Sequence, residues 1–385
     1  MEATTQRFMD EVISWRHHIH KNPETAFEEF NTADFLASKL ESFGLEVHRG
    51  LAKTGVVATL NKNSSGKSIA LRADMDALDI KEETCLSYSS ENEDKMHACG
   101  HDGHMAMLLG AAKILSEDTS FNGKVHFVFQ PAEENVAGGK VMIDEGLFEL
   151  FDCDEIYGMH NWPGIAVGEI GVKSGPIMAS NDNFEIKLNG ASGHAALPHL
   201  SSDTISAGCS LVTSLNQIVS RLQNAQLPTV LSVTKIEAGS AYNILPEELV
   251  IWGTVRTFDK KSQDLIEEAI ERSIKSICLE YSVEYKFDYK RCYVPTINHE
   301  KQTEFSKKII KKVTKKDSTE VSPSMAAEDF GFMLEEKPGC LVWLGNGTNS
   351  KSLHNTKYDF NDEALSFGID YWVELANEYF LSNKQ

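Results

Sequence analysis

Through the first ~175 residues the spacing of apolar side chains switches repeatedly between a helical and a strand period. Phe35, Leu36 and Leu40 form one stripe between about Phe27 and Phe43, which predicts a helix, and Gly44 marks its end. Short apolar runs then predict strands at Leu45–Val47, Gly55–Leu60 and Ser68–Arg72. A helix from about His104 through Leu115 follows, then strands Val125–Phe129 and Glu155–Met159. Strands alternating with helices predict an α/β fold, a mostly parallel central sheet flanked by helices.

Near Ser180 the pattern changes. Phe184, Ile186 and Leu188 alternate with polar neighbours, as in a strand with one wet face. A helix from about Asp203 to Leu222 and strands Thr229–Ile236 and Leu249–Phe258 come next. A helix from about Lys261 to Leu279 and a strand Val283–Tyr289 complete a β-α-β-β-α-β order. These residues are numerous enough for a domain. The expected organisation is a smaller domain at 182–292 inserted into a first domain made of 1–181 and 293–385. After Pro295 the α/β character returns, with a helix near Gln302–Val313, a strand Cys340–Leu344 and a helix from about Asp362 to Phe380.

Charge narrows the partners. Against 37 Lys and Arg stand 57 Asp and Glu, a formal net charge of −20, which repels nucleic acid and anionic membranes. An acidic protein that takes an acidic ligand has to gather positive charge locally, from metal ions or a few arginines. No secretory signal is read in MEATTQRFMDEVISW, and no apolar run approaches the roughly 18 residues needed to cross a bilayer. Seven cysteines lie scattered without a disulfide spacing, which points to reduced thiols and a cytoplasmic location.

One of those cysteines sits in the densest chemical signal of the chain, His97-Ala-Cys99-Gly-His101-Asp102-Gly-His104. A thiol and several imidazoles separated by glycines make a loop able to wrap a cation, and the apolar run after it predicts a helix amino terminus, which favours a thiolate. Four other places share the expected carboxyl edge of the sheet. Asp74 and Asp76 follow one strand, Glu133 and Glu134 another, His160 closes a third and His354 lies in a loop beyond a fourth. Ligands of α/β proteins collect at that edge. Taken singly, each would be a turn, a cap or a solvated acidic pair; together they form a constellation. Cys99, His101, Glu134, His160 and His354 are too many ligands for one catalytic zinc and suit two ions about 3.5–4 Å apart. Of the adjacent pair, Glu134 is assigned as ligand and Glu133 as general base, an order that spacing alone does not fix.

The segments RADMDAL, MHACGHDGH, FQPAEE, GMHNWP, SGHAALP, AYNILP and SLHN, in this order from about Trp15 to Phe360, resemble the aminoacylase and hippurate-hydrolase branch of the two-metal peptidases. N-acetyl-diaminopimelate deacetylases and auxin-conjugate hydrolases belong to the same branch. The resemblance implies a catalytic domain interrupted by a lid and a metal-dependent cleavage of N-acyl amino acids. For the two divalent ions, a thiolate ligand favours zinc or cobalt and the mixed His and carboxylate set also admits manganese or nickel, zinc and manganese being the first expectation. The resemblance also implies that Cys99 bridges the ions, with His101 and His160 on one and Glu134 and His354 on the other. Glu133 matches the general base and Asp76 an acidic residue that orients a ligand histidine. In the lid, His194 matches an oxyanion-stabilising residue and Asn243 and Arg256 match contacts to the substrate carboxylate, while a homodimer through the lid is left open. Glu328 falls in a loop segment of the family with no clear role. Asp79 stands where similar proteins usually have proline, which puts the local turn in doubt but not the metal ligands. A dipeptidase and a non-catalytic metal-binding scaffold are the rival expectations.

Overall fold

The structure, a computed structural model, describes residues 2–62, 66–118, 122–134 and 136–382. Its contacts divide the chain into two compact units. One takes in the chain up to Ile177, Ile297–Ser322 and the residues from Asp329 on; the other is Met178–Thr296 with Pro323–Glu328.

The first unit opens with α1 (Glu2–Lys21), α2 (Phe30–Ser42), β1 (Glu46–Leu51), β2 (Gly55–Lys62) and β3 (Ser68–Asp74). It continues with α3 (His101–Glu117), β4 (Gly123–Gln130), α4 (Gly138–Asp144), α5 (Leu147–Leu150), β5 (Glu155–Trp162), β6 (Ile170–Gly171) and β7 (Gly175–Met178). The second unit holds β8 (Asn181–Asn189), β9 (Gly193–His194), α6 (Thr204–Leu222), β10 (Val230–Ala238), β11 (Ile244–Leu245), β12 (Glu248–Arg256), α7 (Lys260–Tyr281) and β13 (Glu284–Tyr293). The chain then adds β14 (Thr296–Asn298), α8 (Glu300–Thr314), α9 (Phe330–Glu336), β15 (Gly339–Gly345) and α10 (Leu365–Ser382).

Seven strands of the first unit form one sheet in the order β1-β2-β4-β3-β5-β15-β6. Its centre, β4-β3-β5-β15, is parallel throughout. The edges are antiparallel, β2 against both β1 and β4, and β6 against β15. β3 and β15 are buried along their whole lengths, as parallel strands covered on both faces are; β15 is apolar throughout, whereas β3 buries Arg72 and Asp74 paired with each other. α3 is buried from His101 to Ala112 and is apolar nearly all round, as a helix enclosed by its neighbours must be. Leu71, Phe127, Leu108, Val342 and Trp372 belong to the core it shares with the sheet, α1, α2 and α10.

In the second unit an antiparallel sheet, β10-β12-β8-β13, carries α6 and α7 on one face. The inward residues of β8, Phe184, Ile186 and Leu188, alternate with outward ones and pack with Leu211, Leu215, Ile266 and Ile270. Asp203 and Asp259 cap α6 and α7, each accepting the amide N–H of a serine three residues on. Among the described residues, no helix is long and apolar enough to cross a membrane.

Candidate metal centre

The parallel strands of the first unit end at one edge of the sheet, and the chemistry gathers there. β3 ends on Asp74, with Asp76 two residues beyond; β4 leads into Pro131-Ala-Glu133-Glu134; His160 lies near the end of β5. Ala132 takes a left-handed backbone (φ 56°), turning the chain sharply just before the glutamates. Gly100, also left-handed (φ 85°), turns the Cys99 loop into α3, so that His101 becomes the first helical residue. A Cβ on Gly100 would stand 2.3 Å from Asn161 Nδ2, the group that donates 2.6 Å to the carbonyl of Cys99. His354 arrives from the loop after β15, its N–H donating to the carbonyl of Ala98 at 2.8 Å.

These elements bring all five candidate ligands together. Sγ of Cys99 is 3.4 Å from Nε2 of His160, and Nε2 of His354 is 3.1 Å from a carboxylate oxygen of Glu134. Ligand atoms of Cys99, His101 and Glu134 all lie within 4.8 Å of one another. Hydrogen bonds settle the tautomers. Nδ1–H of His101 donates to the carbonyl of Asp76 at 2.8 Å, and Nδ1–H of His160 donates to that of Asn161 at 2.7 Å. In the neutral form of each ring, the form that binds a metal ion, Nε2 is thereby left to present a lone pair. Asp76 touches two candidate ligands, since its Oδ2 accepts the backbone N–H of Glu134 at 2.9 Å. Glu133 is buried next to Glu134.

Electrostatics point the same way. Asp74, Asp76 and Glu133 are buried, and the side chain of Glu134 is 12% exposed. Burial, then the charges of Glu134, Glu133 and Asp74, hold the Cys99 thiol well above its ordinary value. Burial alone would lower the His101 imidazole, but Asp74, Asp76 and Glu134 raise it to about 10. Burial opposes ionisation of Asp74 as well, yet His101, His104 and Arg72 hold it well below the usual carboxylate range. His160 is pushed well below the ordinary histidine value by burial, then by the neighbouring His104. So many buried carboxylates require nearby positive charge, which protons or a cation can supply. The residues fit a metal ion. Nε2 of His101 is buried without a hydrogen-bond partner among the described residues, and thiol, imidazole and carboxylate make a borderline-soft donor set.

Sequence reasoning left Asp74 and His104 without a role, and the structure puts both in the centre. Asp74, His101, His104 and His160 form a second group with ligand atoms within 4.8 Å of one another. His104 donates to Asp74 at 2.5 Å and accepts the N–H of Asn161 at 2.8 Å, tying β3 to β5 through α3. Arg72 in turn donates to Asp74 at 2.8 Å, to Gln130 at 2.8 Å and to Asp329 at 3.0 Å. The signal was present: His104 stands three residues after His101, on the same helix face.

The remaining candidates lie in the second unit. His194 of β9 pairs with Ile244 of β11, and the N–H of Ala195 donates to the carbonyl of Asn243 at 2.9 Å, so His194 and Asn243 are neighbours. Both are exposed. Arg256 ends β12 opposite Val230, half-buried, and burial lowers its guanidinium while Asp182 offsets part of that effect. The carbonyl of Glu328 accepts from the Thr296 hydroxyl at 3.0 Å.

Residues 70–378 match the sequence pattern of peptidase family M20/M25/M40. The hippurate hydrolase of Campylobacter jejuni is 42% identical over 366 residues, covering 94% of this chain and 95% of its own. The N-acetyl-L-cysteine deacetylase of Bacillus subtilis is 37% identical over 97% of this chain and 89% of its own. A crystal structure of a Bacillus subtilis protein, described as a dinuclear metal binding peptidase from the M20 family, superposes with a TM-score of 0.87. It is 31% identical and covers 98% of this chain and 99% of that one. Pattern, relatives and fold agree over nearly the whole length, and the chain belongs to peptidase family M20/M25/M40, among its amidohydrolases.

Proposed function

We propose that this chain hydrolyses the amide bond of N-acyl amino acids, hippurate-like or N-acetylated, to a carboxylic acid and a free amino acid. The observation that carries the reading is the convergence of Cys99, His101, His160, Glu134 and His354 beside a buried Glu133. These five would hold two divalent ions, with Cys99 between them, His101 and His160 on one and Glu134 and His354 on the other. The thiolate favours zinc or cobalt and the histidine and carboxylate ligands also admit manganese or nickel, with zinc and manganese the first choices. Bound ions would supply Lewis acidity toward the acyl carbonyl and a water. Glu133 takes the water proton and returns it to the leaving amine. Asp76, held against His101 and Glu134, keeps both in place. His194 stabilises the oxyanion, and Asn243 and Arg256 bind the substrate carboxylate, the arginine in bidentate fashion.

Hippurate is the first substrate in this reading because the Campylobacter jejuni relative, a hippurate hydrolase, matches nearly end to end. A homodimer through the second unit belongs to the same reading, supported by the exposed apolar side chains Ile236 and Ile244 on β10 and β11. So does a cytoplasmic location, supported by seven cysteines that are all free thiols. The test is hydrolysis of hippurate and N-acetyl-methionine after dialysis against a chelator, with Mn²⁺ or Zn²⁺ added back. Metal-restored release of the free amino acid is expected. Cleavage of dipeptides but neither N-acyl substrate would mean a dipeptidase, and no cleavage with metal content verified would mean a metal-binding scaffold.

A further inference from the structure

α1 lies outside every motif of the metal centre, yet it sends one charged side chain into the core. Arg16 is fully buried, and its guanidinium reaches two separate segments. On one side, Nη1 stands 3.6 Å from Oδ2 of Asp102, the residue that follows His101 in the first turn of α3. On the other, Nη1 donates to Oδ1 of Asp359 at 2.8 Å and to the carbonyl of Phe360 at 2.9 Å, while Nε faces Asp362 at 3.0 Å. These three residues follow His354 on the loop that delivers it. The same Asp102 oxygen is also gripped by His20, one turn further along α1, at 2.8 Å, and Tyr88 donates to the other oxygen of Asp359 at 2.8 Å.

Resting on the two-ion reading above, we infer that Arg16 is a positioning residue that couples the two halves of the metal centre. It locks the helix carrying His101 to the loop carrying His354. One nitrogen, Nη1, serves both sides: it hydrogen-bonds Asp359 and the carbonyl of Phe360, and it faces Asp102 as an ion pair. The planar guanidinium thus fixes the loop end by directed bonds while its charge holds the first turn of α3 beside it. The loop needs such a tie because His354 itself is half exposed, with 51% of its side chain in contact with solvent. Its other anchors include the backbone bond to Ala98, the Thr356 carbonyl bonded by the Glu83 N–H, the Tyr358 hydroxyl bonded to Asn161, and Asn346 bonded to the Asp359 carbonyl and the Asn361 N–H. Arg16 adds an ion pair to Asp102 in the first turn of α3.

The test is calorimetric titration of the chelated, full-length protein with Zn²⁺ or Mn²⁺ alone, at a temperature where circular dichroism shows each variant folded. The wild type is expected to take up two ions. Arg16→Lys keeps the charge beside Asp102 but loses the planar group that bonds the loop end. Asp359→Asn loosens the loop end at a residue whose side chain is 31% exposed, so it is the variant that preserves folding if Arg16→Lys does not. Each should keep one tight ion and bind the other about 10-fold or more weakly, the usual effect of losing an outer contact of a metal ligand. In activity, excess metal should restore kcat while KM for the substrate stays at the wild-type value. Folded variants that bind both ions as the wild type does, with only a lower melting temperature, would overturn the inference and make Arg16 a packing residue. A wild type that takes up no second ion would overturn the two-ion reading first, and this inference with it, before any substitution is made.

Discussion

At the scale of single residues, adjacent Glu133 and Glu134 carry different environments, and the proposed roles follow the difference. Glu134 faces His354 and has its backbone held by Asp76, as a ligand needs, whereas Glu133 is buried beside it. Glu133→Gln is nearly isosteric and should leave metal content unchanged while lowering kcat by about 10²–10⁴-fold, the range for loss of a general base. Retained turnover, with both ions measured in the protein, would remove Glu133 from the mechanism. A second residue-scale prediction concerns pH. Burial tends to lower His20, but Asp102 and Glu82 raise its imidazole to about 9 from the ordinary 6.5. The folded value is the higher one, so this contribution to stability is fully present below pH 6.5 and is lost as pH rises through 9. Urea unfolding should therefore show stability falling with pH across that window, by up to about 1.4 kcal/mol per unit. His20→Gln should flatten that part of the profile; an unchanged slope would show that another group sets it. The sequence pointed to the proposed ligands but not to these supports, because the partner of His20 lies 82 residues away and that of Arg16 lies 343 away.

Elements whose side-chain period matches their burial were legible in advance. β8 shows its alternation plainly, and the caps Asp203 and Asp259 precede α6 and α7. α1 escaped notice because its inward face mixes Val12, Trp15 and Ile19 with Arg16 and His20, breaking the apolar stripe with polar residues whose partners are distant. The two-residue strands β6, β9 and β11 are too short to have a period at all. The start of α3 was read three residues late, at His104 instead of His101, because a helix that begins at a left-handed glycine lacks the usual polar side-chain cap. That glycine gives a prediction at this scale. Gly100→Ala would combine a left-handed backbone with a Cβ 2.3 Å from Asn161 Nδ2 and 2.6 Å from the Tyr358 hydroxyl. A cost of at least about 2 kcal/mol is expected. Because Cys99 and His101 flank it, metal affinity should fall along with the melting temperature. A variant that melts early but binds metal as the wild type does would show that the turn serves folding alone.

At the scale of the whole molecule, all five proposed ligands belong to the unit built on the mixed sheet, although they come from segments as far apart in sequence as Cys99 and His354. Ions held there would join the ends of β4 and β5 to the start of α3 and the loop after β15. Ligands that bind only the folded state stabilise it by mass action, about 4 kcal/mol at a free concentration 1,000 times Kd. The effect should be local, since opening a segment requires only the contacts of that segment to break. Hydrogen exchange read by mass spectrometry, with and without a chelator, resolves this. Chelation should speed exchange in residues 97–104, 131–134 and 353–360. The amides of α6 and α7, which pack on the second sheet through Leu211, Leu215, Ile266 and Ile270, should be unaffected. Faster exchange spread evenly over both units would mean that the metal centre supports the chain globally. No change in the first unit would mean that its hydrogen bonds, Arg72 to Asp74, His104 to Asn161 and Arg16 to Asp359, hold the ligand frame unaided. The expected result lies between: a frame preorganised by those bonds, in which the last segment to need the ions is the exposed loop of His354.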